Sequence, residues 1–180
     1  KQLSFSFSPS HFLVGTINAT ARHEQGRWFN ALGEARLRYL RQHAARHTLL
    51  GKIDYRHGHN LDPEVQILLG TDTGLRGYPV RQFAGTRSLL ISAEERWFVA
   101  DDIGQLLSLG VAAFVDSGFA WPNGTVIKLS NLTTAVGASL LLGSHRLSTR
   151  PGIRFDVAYA LDPVANASRW VFNAGSDIKF

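Results

Sequence analysis

The 180-residue sequence contains neither cysteine nor methionine, and it has no long apolar run. Without cysteine, the protein has no disulfide framework and no thiol chemistry. Without methionine, the sequence does not include a native translation start, so we expect a processed form or an excised piece of a longer protein. No apolar stretch approaches the roughly 20 residues of a transmembrane helix, which excludes a helical membrane protein.

Charge of one sign is not concentrated anywhere along the chain, although the formal net charge is +5. The lysine and arginine residues are spread through alternating segments, whereas a nucleic-acid-binding arm gathers them into a run. We therefore expect no nucleic-acid partner. The sequence also has no phosphate-binding glycine loop and no nucleophile elbow, so we expect no enzyme, no cofactor, no metal ion and no catalytic residue.

Apolar and polar residues alternate with a period of two in segment after segment. At the end of the chain, one side of the alternating run consists of Trp170, Phe172, Ala174, Ile178 and Phe180. The other side carries Arg169, Asn173, Asp177 and Lys179. Alternation over about ten residues is the pattern of a strand with one apolar and one polar face. It predicts eight strands, at 11–21, 28–41, 47–57, 87–99, 105–121, 131–142, 152–161 and 168–180. Residues 2–8 form a ninth strand, a kinked extension of the first strand or a lead-in segment.

Alternation alone is typical of a soluble β-sandwich as well as of a membrane β-barrel. Here the polar rows mix charged residues with glycine and alanine, which suits a crowded, hydrated lumen better than an open surface. Aromatic residues cluster near the predicted strand ends, as in the girdles of membrane barrels; they are Trp28, Trp97, Phe98, Trp121, Trp170 and Phe180. We therefore predict an all-β fold in which residues 1–180 form one domain, a transmembrane antiparallel up-and-down β-barrel. About eight strands fit this length, and they form either a closed small barrel or half of a larger one.

One connection, residues 58–86, is much longer than the others, and a loop of this length is usually functional or disordered. It contains Leu75, Arg76, Gly77 and Tyr78 in succession, followed by Pro79 and by Phe83-Ala84-Gly85. The next strand carries Leu-Leu-Ile-Ser-Ala-Glu-Glu-Arg-Trp-Phe at 89–98. Later segments are Phe-Val-Asp-Ser-Gly at 114–118, Ile-Arg-Phe-Asp-Val-Ala-Tyr at 153–159 and the terminal Phe180. In this order, these elements resemble the C-terminal part of the barrel in the bacterial surface antigen superfamily.

That superfamily includes the BamA- and TamA-like assembly factors and the two-partner secretion transporters, whose barrels have about sixteen strands. In this family the long extracellular loop folds back into the lumen, where its motif arginine contacts acidic residues on the inner wall. The resemblance therefore implies that Arg76 contacts Glu94 and Asp116, the acids at the matching positions. The alternation agrees, since it places Asp116 on the inward row and Glu95 on the outer row, near the membrane interface.

The resemblance also implies a location and a role. It places the chain in the bacterial outer membrane, in contact with outer-membrane lipids, and implies a function in outer-membrane biogenesis. Barrel proteins, secreted proteins or lipids would then be inserted or translocated as substrates. The last strand, with Phe172, Ile178 and Phe180, would form one side of a weak seam and carry the aromatic signal for barrel assembly. Since the sequence covers half of the family's strands and no periplasmic POTRA module, we expect either a closed eight-strand barrel or the C-terminal half of a sixteen-strand barrel.

Three other interpretations stay open. A short barrel without transport activity would act as a structural or oligomerising outer-membrane protein, for instance as a homodimer. Asp72-Thr73-Gly74 and Asp116-Ser117-Gly118 match the triplets of aspartic proteases, and Asp116 would then carry the catalysis. His57-Gly58-His59 offers two imidazoles, but a metal site needs at least a third ligand, which Asp54 or Asp62 would have to supply. We interpret this histidine pair as polar surface.

Overall fold

The computed structural model describes residues 2–8, 10–103, 107–125, 128–144, 152–165 and 167–177. Within these ranges the chain consists mainly of β-strands, as the alternating pattern predicts. Their bounds are β1 Gln2–Ser8, β2 His11–Glu24, β3 Arg27–Ala44, β4 His47–His59, β5 Ile67–Leu69, β6 Phe83–Gly85, β7 Arg87–Ile103, β8 Leu107–Trp121, β9 Thr133–Ser144, β10 Gly152–Ala160 and β11 Trp170–Asp177. Two short 3₁₀-helices, Thr71–Thr73 and Leu129–Asn131, are the only helices in the described ranges. Neither is long and apolar enough to cross a membrane.

Nine of these strands form one antiparallel sheet in the order β1-β2-β3-β4-β7-β8-β9-β10-β11. Neighbours in the sheet are also consecutive long strands of the chain, so the topology is up-and-down. The predicted all-β, antiparallel, up-and-down architecture is thus confirmed, and each of the eight predicted strands is present with bounds that differ by a few residues. Residues 2–8 form a separate strand that pairs with β2, which is the first of the three interpretations given above. The short strands β5 and β6 pair with each other outside the main sheet.

The two end strands of the sheet, β1 and β11, are not paired with each other within the described residues. Because every step across the nine-stranded sheet is antiparallel, β1 and β11 run in the same direction. Closing the sheet on itself would therefore require one parallel pair, whereas bacterial single-chain barrels use an even number of antiparallel strands. The sheet is nevertheless curled, since Arg36 of β3 and Asn173 of β11 line the same cavity. The described chain is thus an open, curled sheet and not the closed small barrel that was one of the two predictions.

The sheet carries apolar residues on the outside of the curl and polar residues on the inside. The exposed apolar residues include Leu37, Ile53, Ile91, Val111, Val115, Val136, Leu140, Ile153, Phe155 and Val157. The buried polar residues include Asp54, Ser88, Glu94, Arg96, Asp116, Ser139 and Asp156. A soluble antiparallel sheet has the opposite arrangement, because its apolar face packs on the core and its polar face is solvated.

Strand register aligns the exposed apolar residues into rows across the sheet. Leu37 of β3 lies opposite Ile53 of β4, which lies opposite Ile91 of β7. On the other side of the sheet, Val115 of β8 lies opposite Val136 of β9. A slip of one residue in any of these pairings would turn every side chain of that strand to the other face. The alternation in the sequence therefore also specifies the register.

The alternation ends at the last two residues of β8. Trp121, expected among the aromatic residues of the outer girdle, is only 4% exposed, and Ala120 is 3% exposed. The segment after β6 packs on this strand end, where the backbone N–H of Thr86 donates to the Trp121 carbonyl oxygen at 2.9 Å. A Cβ on Gly85 would lie 2.4 Å from the same oxygen. Trp121 is therefore covered by the long loop, which a pattern within one strand does not reveal.

Candidate functional site

The long connection between β4 and β7 folds onto the inner face of the sheet. Leu75 and Tyr78, near the tip of this loop, are 0% and 1% exposed. They belong to a buried apolar cluster with Leu90 of β7, Ala135 of β9 and Ala160 of β10. The loop is thus an ordered part of the interior, and its apolar residues supply the packing that the polar inner face of the sheet lacks.

Gly77 lets the loop tip approach the sheet closely. A Cβ on this residue would lie 2.1 Å from the Cβ of Ala135, which is far inside van der Waals contact. Ala135 is itself completely buried, so a side chain at position 77 would fit only if the backbone of the loop or of β9 moved. Gly77 therefore allows the close contact that brings Arg76 and Tyr78 to the inner face of the sheet.

Tyr78 attaches the loop tip to β9 and to the segment that follows β10. Its hydroxyl lies 3.0 Å from the backbone carbonyl oxygens of both Thr134 and Asp162. Its ring meets that of Phe83 edge to face, with 5.3 Å between the centroids. Burial raises the pKa of Tyr78 above its ordinary value. The phenol consequently stays protonated and donates a hydrogen bond at neutral pH.

Arg76 lies at the centre of the site. Its Nε and Nη2 donate to the two carboxylate oxygens of Asp116, both at 2.7 Å. Nη1 donates to Glu94, and Nη2 lies 3.2 Å from the hydroxyl of Ser92. The guanidinium carbon is 3.5 Å from the centroid of the Phe114 ring. The structure thus brings together Arg76, Glu94 and Asp116, in the bidentate geometry for which a planar guanidinium is suited.

These contacts belong to a larger set of buried ion pairs, here called the inner ion network. Its members are Arg76, Glu94, Arg96, Asp116, Arg154 and Asp156. Glu94 also accepts hydrogen bonds from Arg96 at 2.7 Å and from Arg154 at 3.2 Å. Arg154 in turn forms an ion pair with Asp156 at 2.8 Å. Three arginines and three carboxylates make the network formally neutral, so the network itself buries no net charge.

Burial decides the energetics of this network. Burial alone would lower the pKa of Arg76, but the hydrogen bonds and charges of Asp116 and Glu94 outweigh it and raise the pKa above its ordinary value. The Arg76 side chain is therefore always charged. Taking ions out of water costs several kcal/mol each, and good hydrogen-bond geometry is needed to offset that cost. Removing one partner would leave an uncompensated buried charge, which typically costs about 3–5 kcal/mol.

A cavity of about 500 Å³ adjoins the inner ion network. Its walls come from β3, β4, the loop, β7, β10 and β11, and its charged lining residues besides the network are Arg36, Arg38, Lys52, Asp54, Arg56 and Asp72. Lys52 pairs with Asp54 at 3.0 Å, and Arg56 pairs with Glu34 at 3.0 Å. The inside of the curl is therefore polar and wide enough to hold water.

The last strand is described in part. Phe172 is 74% exposed on the outer row, opposite Val157 of β10. Ile178 and Phe180, the other two residues predicted for the seam, lie outside the described residues.

The two Asp-Thr/Ser-Gly triplets have different surroundings. Asp116 binds the guanidinium of Arg76. Asp72 lies in the first 3₁₀-helix and accepts a hydrogen bond from the backbone N–H of Arg81 at 3.3 Å. An aspartic protease needs two carboxylates that share a proton, and each of these two carboxylates has a cationic or amide partner instead.

In the His57-Gly58-His59 segment, His57 and the two candidate third ligands make contacts with other side chains. His57 Nδ1 lies 3.3 Å from the hydroxyl of Tyr55. Asp54 pairs with Lys52, and Asp62 accepts a hydrogen bond from Asn30 at 2.8 Å. Among the residues that the structure describes, the one group of three metal-ligating side chains that comes together is a different one, His43, His47 and Glu95.

Sequence reasoning missed several members of the site. Ser92 and Arg96 lie on the same side of β7 as Glu94, and Arg154 and Asp156 alternate in the same way on β10. Their inward direction was visible in the alternation, but their pairing across strands was not. His43 and His47 are separated by four residues across a turn. This spacing is the signal that could have predicted their contact, because a hairpin brings the residues on either side of its turn together.

No protein-family model matches this sequence, and a search of curated proteins found no significant match.

Proposed function

We propose that this chain is the membrane-embedded sheet of a bacterial outer-membrane β-barrel that acts in outer-membrane biogenesis, by inserting or translocating proteins or lipids. The proposal rests on the resemblance to the surface antigen superfamily. The observation that carries it is the buried contact of Arg76 with Asp116 and Glu94, which attaches the long loop to the inner face of the sheet. A loop arginine bound to acids on the inner wall is what that resemblance implies.

The distribution of apolar side chains supports a membrane location. Ile53, Val115 and Phe155 are 41%, 40% and 46% exposed on the outer rows. Continuous exposed apolar rows mark a surface that another apolar phase covers. The acyl chains of outer-membrane lipids are the proposed phase, because the apolar rows cross most of the sheet while the opposite face is polar, as in barrels.

Within the part of the chain that the structure describes, the outer edges of β1 and β11 are free of partner strands, which supports a barrel larger than the described sheet. In a bilayer, every unpaired backbone N–H and C=O group costs several kcal/mol, so both edges need partner strands. An odd number of added strands would close the ring with antiparallel neighbours only, since β1 and β11 run in the same direction. This sheet has nine strands. Seven further strands would complete a barrel of about sixteen strands, the number in the superfamily that the sequence resembles.

In the proposed mechanism, the last strand forms one side of a weak seam at which substrates enter the membrane. Among the described residues, β11 has a neighbouring strand on one side only, and Phe172 faces outward beside the other edge. An incoming substrate strand would pair with such an edge by main-chain hydrogen bonds. The inner ion network would hold the loop against β7 and β8 and so maintain the shape of the interior while the seam opens.

The test is an insertion assay in phospholipid vesicles with the purified protein in the closed form in which both β1 and β11 have partner strands. We expect it to accelerate the folding of an unfolded outer-membrane barrel protein into the bilayer, relative to empty vesicles. Arg76→Ala should reduce that acceleration, whereas Arg81→Ala, a loop arginine with 69% side-chain exposure, serves as the matched control. Wild-type protein that is inserted and folded but gives no acceleration would refute the assembly function.

The second candidate is a structural or oligomerising barrel without transport activity, and the same free edges favour it because a second copy can also supply strands. Light scattering of the protein in detergent, with the detergent mass subtracted, distinguishes the candidates. A stable dimer without insertion activity would favour the structural protein. Solubility without any detergent would refute both.

A further inference from the structure

Two histidines and a glutamate come together at the turn that joins β3 to β4. His43 precedes the turn, His47 follows it, and Glu95 lies on the neighbouring strand β7. One donor atom from each of the three side chains lies within 4.8 Å of the other two. The cluster faces away from the inner ion network, and the proposed assembly function does not use it.

The backbone places these three residues on one side of the sheet. His47 lies opposite Trp97, and Glu95 lies opposite Leu49, so His47 and Glu95 are diagonal neighbours on the same face. The pairing of β3 with β4 shifts between Gln42 and Ala44. Such a bulge re-aims the side chain of the extra residue, here His43, and its ring centroid lies 5.7 Å from that of His47.

Glu95 has a carboxylate oxygen, Oε1, that is shielded from solvent and makes no hydrogen bond, although its side chain is 24% exposed. The nearest cationic group is the imidazole of His43, whose Nε2 lies 3.4 Å away and forms an ion pair only when protonated. The residues opposite it on the flanking strands are Leu49 and Ala113. A buried carboxylate oxygen among apolar neighbours is costly without a partner. This oxygen, next to two imidazoles, is therefore placed where a bound cation would give it a partner.

We propose that His43, His47 and Glu95 bind one divalent transition-metal ion of the zinc class. Two imidazole nitrogens and one carboxylate are a common ligand set for Zn²⁺ with a fourth position left to water. Imidazole ligands favour such ions over Ca²⁺ and Mg²⁺, which prefer oxygen ligands throughout. The proposal departs from the expectation, drawn from the sequence, that the chain holds no metal.

The distances are compatible with such an ion. Zinc binds nitrogen and oxygen ligands at roughly 2.0–2.2 Å, which puts two tetrahedral ligands about 3.4 Å apart. His43 Nε2 and Glu95 Oε1 are already separated by 3.4 Å. Side-chain rotation has to bring His47 closer by about 1.4 Å at most, because all three atoms lie within 4.8 Å of one another and tetrahedral ligands are about 3.4 Å apart. The bound ion would cross-link the β3–β4 turn to β7 and neutralise a carboxylate on the apolar face.

The test is calorimetric titration of the full chain in detergent, after treatment with a chelator, with zinc chloride as the probe. We expect one Zn²⁺ per chain, and we expect His47→Ala and Glu95→Gln each to weaken binding by at least about tenfold. Titration with Co²⁺ should produce the intense visible absorption of a four-coordinate site, and neither variant should produce it. The matched control is His57→Ala, because His57 is a histidine near the other end of β4 and contacts Tyr55.

The outcomes distinguish a specific zinc site from non-specific zinc binding by histidine side chains. Loss of tight binding in both ligand variants with unchanged binding in His57→Ala supports the site. The proposal is overturned if Glu95→Gln binds Zn²⁺ as tightly as the wild type does. It is also overturned if His57→Ala loses as much Zn²⁺ affinity as the ligand variants do. Glu95→Gln keeps the shape of the side chain, and circular dichroism of each variant checks that the sheet is retained. The result does not depend on the insertion assay, so either proposal can fail without the other.

Discussion

The inner faces of β7–β9 and of β2 belong to the same sheet but differ in burial. Asp116 on β8 and Ala135 on β9 are completely buried, because the loop tip with Arg76 and Tyr78 lies on them. On β2, every residue from 17 to 24 is exposed, whichever side of the strand it lies on. Both regions alternate in sequence, so the loop and not the strand pattern makes the difference. The loop therefore divides the inner face of the sheet into a covered region and an uncovered region.

The largest effect should come from breaking the buried ion pairs in the covered region. Arg76→Ala leaves the carboxylates of Asp116 and Glu94 without their main cation, so we expect the free energy of unfolding to fall by about 3–5 kcal/mol. Urea unfolding of the protein in detergent micelles, followed by tryptophan fluorescence, measures it. Arg81→Ala, in the same loop but exposed, should change the stability by less than about 0.5 kcal/mol. Equal effects of the two variants would mean that the contact with Asp116 contributes nothing to stability.

A smaller loss of stability should come from pushing the loop away from the inner face of the sheet at β9. In Gly77→Ala the added methyl group meets the Cβ of Ala135 at 2.1 Å, and overpacking of this kind costs about 1–3 kcal/mol. The matched control is Gly33→Ala on β3, where the nearest atom to an added Cβ is 3.8 Å away. The same urea titration compares them. If Gly77→Ala is as stable as the control, the loop does not lie as close to β9 as the structure places it.

The smallest effect in the covered region should come from a single hydroxyl. Tyr78→Phe removes the donor shared by the carbonyl oxygens of Thr134 and Asp162, and a buried hydrogen bond of this type contributes about 0.5–1.5 kcal/mol. Proteolysis of the loop under native conditions should accelerate accordingly.

In the uncovered region, Asn18→Ala removes a 3.4 Å hydrogen bond to Glu34 and should have almost no effect on the free energy of unfolding. A larger loss from Asn18→Ala would overturn the contrast between the two regions.

Much of the fold could be predicted from the sequence. The period of two located the strands, and their short connections predicted an antiparallel meander. The positions of Asp116 and Glu94 on the inner row followed from the same pattern, and the resemblance paired them with Arg76. Partners from distant strands could not be predicted: Arg154 reaches Glu94 across 60 residues of sequence. The burial of Trp121 was missed for the same reason, because the loop that covers it belongs to another part of the chain.

The sequence by itself determined which side of each strand a residue faces. Successive side chains of an extended backbone point to opposite faces, so alternation is a property of each strand alone. Only the tertiary structure decided which faces are covered, how the ions pair and that, among the described residues, the sheet is open at β1 and β11. Those outcomes depend on contacts between segments far apart in the chain, such as the approach of Gly77 to Ala135 and the cluster of His43, His47 and Glu95. No pattern within one strand contains them.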